Sequence, residues 1–279
     1  MNFPPFWAKG QSGSFSCWRW SATSRGEAQQ LADDAAKKLA ELFATDSPIT
    51  SSYGYGDDRP LREPVIQEFK GPSGEWTAVI TRNAYGAQVL NTARIMFIDV
   101  DDPPQKITRG LGKLFGGLFG KSNQPEQYQD ALIDKAREVV QKDPSWAWRI
   151  YRTSAGYRLL ATHRCFDPDD AQTQSMFDLF GADPLYRKLC RVQKCFRARL
   201  TPKPWRCAVT RPKDEWPWRN PDAEHRFMQW EIIYETASAN YATCQLIKTL
   251  GDSPMDPAIT PIVTIHDDMT RVRANLPLA

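Results

Sequence analysis

Hydrophobic and polar positions along this chain recur with two periods, and the period assigns the elements. Phe15–Ser21 alternates aromatic and polar residues, as a strand does. Ser24 then caps a helix, with Glu27 three positions on completing a capping box, and Leu31, Ala35, Leu39, Leu42 and Phe43 supply its apolar face. Trp76–Arg82 and residues 87–91 read as a strand pair around the turn Asn83-Ala84-Tyr85-Gly86. An apolar run follows, Arg94-Ile95-Met96-Phe97-Ile98-Asp99-Val100-Asp101-Asp102, closed by Pro103 and Pro104. Residues 127–141 carry a helical stripe of Leu132, Ile133, Ala136, Val139 and Val140. Residues 146–151 and 157–162 form a predicted hairpin around Thr153-Ser154-Ala155-Gly156.

Beyond the hairpin, helices are expected from Asp167 to about Phe180 and from Asp183 to about Gln193, then a strand over 196–201. A Pro- and Trp-rich segment spans 202–221, the longest helical pattern spans 224–250, and a last helix spans 257–271. The expected fold is α+β, a largely antiparallel central sheet with flanking helices and a helical C-terminal segment. Residues 1–221 form the core with an N-terminal strand-helix addition, and 222–279 pack on it.

Composition changes this picture little. The 279 residues are 41% hydrophobic and 25% charged, an ordinary globular balance. No apolar run reaches the ~20 residues of a membrane helix, and the first ten residues lack the regions of a signal peptide. The expectation is a soluble, cytoplasmic protein with no membrane partner, whose six cysteines are free thiols. The net charge of +3 says less than its distribution: from Pro184 to Lys213 basic residues recur with no acid between Asp183 and Asp214. Such a run on a structured segment marks a phosphate-facing surface.

The acidic strand end is the strongest chemical feature. Asp99 and Asp101 stand two apart and leave the same face of a strand. Their repulsion is relieved by a shared proton or a divalent cation, and Mg²⁺ is commonly held by one or two carboxylates plus substrate phosphates. Other motifs fall away. Gly116 and Gly120 have three residues between them where a phosphate loop needs four, so 111–121 reads instead as a lid over the acidic strand. Tyr53-Gly54-Tyr55-Gly56-Asp57-Asp58-Arg59-Pro60 is a candidate binding loop. No Cys-x2-Cys pair accompanies His163, Cys165, Cys190, Cys195 and Cys207, which argues against zinc. No Gly-x-Ser-x-Gly elbow occurs.

Taken together, Phe97-Ile98-Asp99-Val100-Asp101, the Ser154-Ala155-Gly156-Tyr157-Arg158 turn and the Arg-rich segment resemble the archaeo-eukaryotic primase (primase-polymerase) superfamily. The rest resembles uncharacterised bacterial proteins. The resemblance covers roughly 93–206 and implies a primase-like, RRM-like core. It further implies Asp99 and Asp101 as catalytic metal ligands for Mg²⁺ or Mn²⁺. Ser154, Arg158, His163, Arg191, Arg197 and Lys203 would then hold nucleotide or nucleic-acid phosphates. Arg158 stands where that family has a histidine, and the family's third carboxylate has no clear match beyond Glu231 or Asp267. The expected function is phosphate binding with metal-dependent nucleotidyl transfer. The alternatives are a non-enzymatic protein whose Arg-rich face binds nucleic acid or an acidic partner, and another metal-dependent phosphotransfer or hydrolase activity.

Overall fold

The computed structural model describes residues 1–44, 60–103 and 124–279. The candidate loop at 53–60, all but Pro60, and the lid at 111–121 lie outside the described residues.

The chain opens with a hairpin, β1 (Phe6–Ser12) and β2 (Phe15–Ser21), which turns at Gly13 with φ 57°. Helix α1 (Arg25–Ala44) lies across it. Its buried residues are Ala28, Ala32 and Ala36, while Leu31 and Phe43 are exposed, so the apolar face expected from leucine spacing is corrected by one strip of the helix. Gly10 shows why: a Cβ there would sit 2.1 Å from the Ala32 carbonyl carbon, and only small residues permit that approach. The Ser24 hydroxyl accepts from the Glu27 amide at 3.1 Å, as the capping box requires, but the Glu27 carboxylate takes the Ser21 hydroxyl instead of closing the box.

Two antiparallel four-stranded sheets follow. One has the order β3 (Val65–Lys70), β4 (Trp76–Arg82), β5 (Gln88–Thr92), β9 (Phe196–Arg199). The other has the order β10 (Cys244–Leu250), β7 (Trp148–Thr153), β8 (Gly156–Ala161), β6 (Phe97–Asp101). Every residue of β8 is buried, because the strand lies between β7 and β6 and is covered on both faces. An apolar core spans both sheets, joining Ile80 and Leu90 of the first to Phe97, Trp148 and Leu159 of the second. Among the described residues five helices surround them: α2 (Gln124–Lys142), α3 (Ala171–Phe180), α4 (Pro184–Gln193), α5 (Pro221–Ser238) and α6 (Thr260–Thr270).

The α+β class with antiparallel sheets is as the patterns indicated. The 224–250 helix is not: α5 ends at Ser238, and Cys244–Leu250 is the strand β10, paired with β7. Thr243, Ile247 and Thr249 are β-branched, and the open edge of β7 supplied hydrogen-bond partners that a helical period in the sequence could not reveal.

Candidate functional site

Strand β6 carries Asp99 and Asp101 along the edge of its sheet. Ile98 and Val100 turn into the core, while Asp99 is about two-fifths exposed and Asp101 is exposed. The register sets Asp99 opposite Arg158 and Asp101 opposite Gly156. A Cβ on Gly156 would lie 2.1 Å from the Val100 carbonyl oxygen, so the Ser-x-Gly turn brings β8 against β6 at a distance only glycine allows.

A third carboxylate completes the acidic side. Asp183 caps α4 by accepting from the Tyr186 amide at 2.7 Å, and its own amide donates to the Asp99 carbonyl at 3.1 Å. The Tyr186 hydroxyl donates to the Phe97 carbonyl at 2.6 Å, so α4 is fastened to β6 along two residues. Although its side chain reaches solvent, partial desolvation and then the fields of Asp183 and Asp99 push the Asp101 carboxyl above its ordinary pKa, against the pull of Lys203.

The cations arrive on the segment after β9. Lys203 precedes a single 3-10 turn, Pro204–Cys207, and Arg206 within it donates to the Ser154 hydroxyl in the β7–β8 turn. Burial holds the Lys203 ammonium below its ordinary pKa, and Arg199 and Arg206 add to the effect; Asp101 and Asp99 oppose it. Arg206 is lowered by burial and Arg199 in the same way. Cations crowd cations on one side and carboxylates crowd carboxylates on the other. That arrangement favours a bound anion and a bound cation together. Trp205, 44% exposed, extends the cationic side, with Arg211 at 4.5 Å and Lys203 at 5.8 Å from its ring centre and Tyr85 edge-on at 5.3 Å.

Arg158 has another place. It is buried, with Nε 3.3 Å from Asp99 Oδ1 and Nη1 donating to the Arg199 carbonyl at 2.9 Å, which joins the two sheets. It therefore supports the carboxylate from behind.

The site thus gathers Asp99, Asp101, Ser154 and Lys203, backed by Arg158. The other expected residues lie elsewhere. Arg197 is buried, its Nη2 donating to both Glu63 carboxylate oxygens at 2.9 and 3.0 Å and its Nη1 to Asn91 Oδ1 at 2.7 Å, so its guanidinium is spent within the first sheet. Arg191 is exposed on α4 beside Arg187 and Lys188. His163 lies past the end of β8 away from Gly156, among Trp146 and Phe166, where burial lowers its pKa. Of the two candidate third carboxylates, Glu231 pairs with Arg82 and Asp267 with Arg149. Asp183, Arg199 and Arg206 were missed as site residues; the Asp-Pro helix cap and the basic run were visible, but not their convergence.

Among the described residues no group of three or more His, Cys, Asp or Glu side chains is placed to hold a metal ion. The exposed Asp99–Asp101 pair fits the other regime, in which Mg²⁺ or Mn²⁺ takes one or two carboxylates and completes its shell with water and phosphate oxygens. The cysteines are free, and burial pushes the Cys190 and Cys195 thiols up to about 12 and about 11. Among the described residues no helix is long and apolar enough to cross a membrane. No family model matches the chain, and no curated protein and no solved structure matches it.

Proposed function

We propose that the surface where β6 meets the 199–206 segment binds the phosphates of a nucleotide or nucleic acid, and that Asp99 and Asp101 take a divalent cation for nucleotidyl transfer of the primase-polymerase type. One observation carries the reading: the cations Lys203, Arg199 and Arg206 crowd one another within electrostatic reach of the crowded carboxylates Asp101, Asp99 and Asp183. A phosphate chain relieves the first group and Mg²⁺ or Mn²⁺ the second. When bound, the ion supplies charge stabilisation to the reacting phosphate.

The chain's own residues do the rest. Lys203 and Arg206 neutralise and position phosphate oxygens, Arg206 being oriented by the Ser154 hydroxyl. Arg158 fixes the Asp99 carboxylate, and the α4 cap fixes the backbone of β6. Positioning and charge stabilisation account for most of phosphoryl-transfer catalysis, and both are what these residues offer.

The test is equilibrium binding of a nucleoside triphosphate with and without Mn²⁺, followed by incorporation of labelled nucleotide. Lys203→Ala with Arg206→Ala should weaken binding by tenfold or more, the loss of about 1.4 kcal/mol. Asp99→Ala with Asp101→Ala should abolish the metal dependence. Equal affinity in all three proteins overturns the site; metal-dependent binding without incorporation reduces it to a binding protein.

A further inference from the structure

A second site lies away from the carboxylates, where the N-terminal hairpin meets the segment leading into α5. A groove of about 620 Å³ runs there, within the roughly 300–1,000 Å³ typical of ligand sites. Three tryptophans line it: Trp7 of β1, Trp18 of β2, and Trp218. Trp7 is buried and forms a floor. Trp18 and Trp218 are half-buried, Trp18 under Arg62 at 4.1 Å and Trp218 against Phe227 at 4.5 Å.

The charges of the groove are unevenly matched. Its two carboxylates are already neutralised: Asp214 accepts from Arg226 at 2.8 and 2.9 Å with Arg219 at 4.0 Å, and Glu215 accepts from Arg62 at 2.7 Å. Lys9, Arg25 and Lys213 line the same groove and make no ion pair within 4 Å among the described residues; Lys213 adds only its field to the Asp214 carboxyl that Arg226 already holds. Unmatched cations ask for a polyanion, and indole rings beside them ask for flat π faces. An acidic peptide meets the first demand only. A duplex buries its base faces in its own stack. A single strand meets both, with phosphates on lysine and arginine and unpaired bases on the half-buried Trp18 and Trp218.

We propose that this groove binds single-stranded nucleic acid. The inference stands on residues separate from the carboxylate site and holds whether or not that site transfers nucleotides. The segment joining the two sites continues the same chemistry, with Trp205 beneath Arg211 and beside Lys203.

The test uses fluorescence anisotropy of the full chain with a labelled oligothymidylate, together with intrinsic tryptophan fluorescence. Binding should weaken steeply with salt, and Lys9→Glu with Lys213→Glu, both at exposed positions, should weaken it by more than about tenfold at low salt. The oligonucleotide should quench tryptophan fluorescence, and poly-glutamate should not. Unchanged affinity in the double charge reversal overturns the proposal, as does poly-glutamate competing equally without quenching, which marks a surface for acidic peptides. Triphosphate binding in the Lys203→Ala, Arg206→Ala protein reports on the carboxylate site alone, so the two readings fail separately.

Discussion

The Arg158 guanidinium stands between a surface carboxylate and a buried imidazole: Nε is 3.3 Å from Asp99 Oδ1, and Nη1 is 3.3 Å from His266 Nε2. Arginine only donates, so Nε2 must present its lone pair. The proton then sits on Nδ1 and is given to Asp267 Oδ1 at 3.0 Å, while Asp267 also takes the Tyr151 hydroxyl at 2.9 Å and pairs with Arg149. A neutral histidine and Asp267 thus link Arg158 to Arg149 through the core.

A pH dependence of stability follows from that imidazole. Burial, with the fields of Arg158 and Arg149, lowers the His266 pKa to about 4 against the pull of Asp267. The unfolded chain binds this proton near pH 6.5 and the folded chain does not, so the contribution is complete above pH 6.5 and is lost as pH falls toward 4. The slope from one group is at most about 1.4 kcal/mol per pH unit. Denaturant melts of the parent protein and His266→Gln between pH 4 and 7 should differ in this slope, and histidine NMR should show the Nδ1–H tautomer.

Arg197 predicts a stability effect where its position in the sequence suggested a binding one. Arg197→Ala leaves Glu63 buried, only 6% exposed, without its partner, at a cost of about 3–5 kcal/mol. Arg197→Met with Glu63→Leu should recover much of that loss. Urea melts measure both. Triphosphate affinity of the folded double variant should match the parent.

Asp101 should show the opposite trade. Its folded pKa is raised, so the folded state holds the proton more tightly than the unfolded chain, and ionisation as pH rises through the folded value costs stability. Asp101→Asn should therefore raise the thermal midpoint at pH 7 in the absence of divalent ions. Added Mn²⁺ should raise the midpoint of the parent more than that of the variant, and so reverse or narrow the gap.

Gly156→Ala tests the close approach of β8 and β6. The added methyl meets the Val100 carbonyl at 2.1 Å, which is backbone and cannot swing aside. A destabilisation of about 1–3 kcal/mol is expected from overpacking. Because Asp101 is the registered neighbour, triphosphate affinity measured well below the melting point should fall as well.

Much of the local structure was legible from pattern. The acidic strand, the Thr153–Gly156 hairpin turn and the Asp-Pro start of α4 each depend on neighbours within a few residues, and each was readable. Residues 244–250 were misread because helical spacing continued past Ser238, while the partner that made them a strand, β7, lies roughly a hundred positions earlier in the chain. The face of α1 was misread because a glycine on β1 decided which strip of the helix came closest.

By itself the sequence determined which residues had charge to offer: a carboxylate pair on one strand face, a tight Ser-x-Gly turn and a basic run, all consequences of residue type and period. Only the tertiary structure decided which of them meet. Arg197 and Lys203 lie six positions apart in one basic run, yet one is sealed against Glu63 and the other faces Asp101. The reason is physical: β9 sends Arg197 into the first sheet, where a buried charge must be paired, whereas the turn beyond β9 carries Lys203 across to the edge of the second.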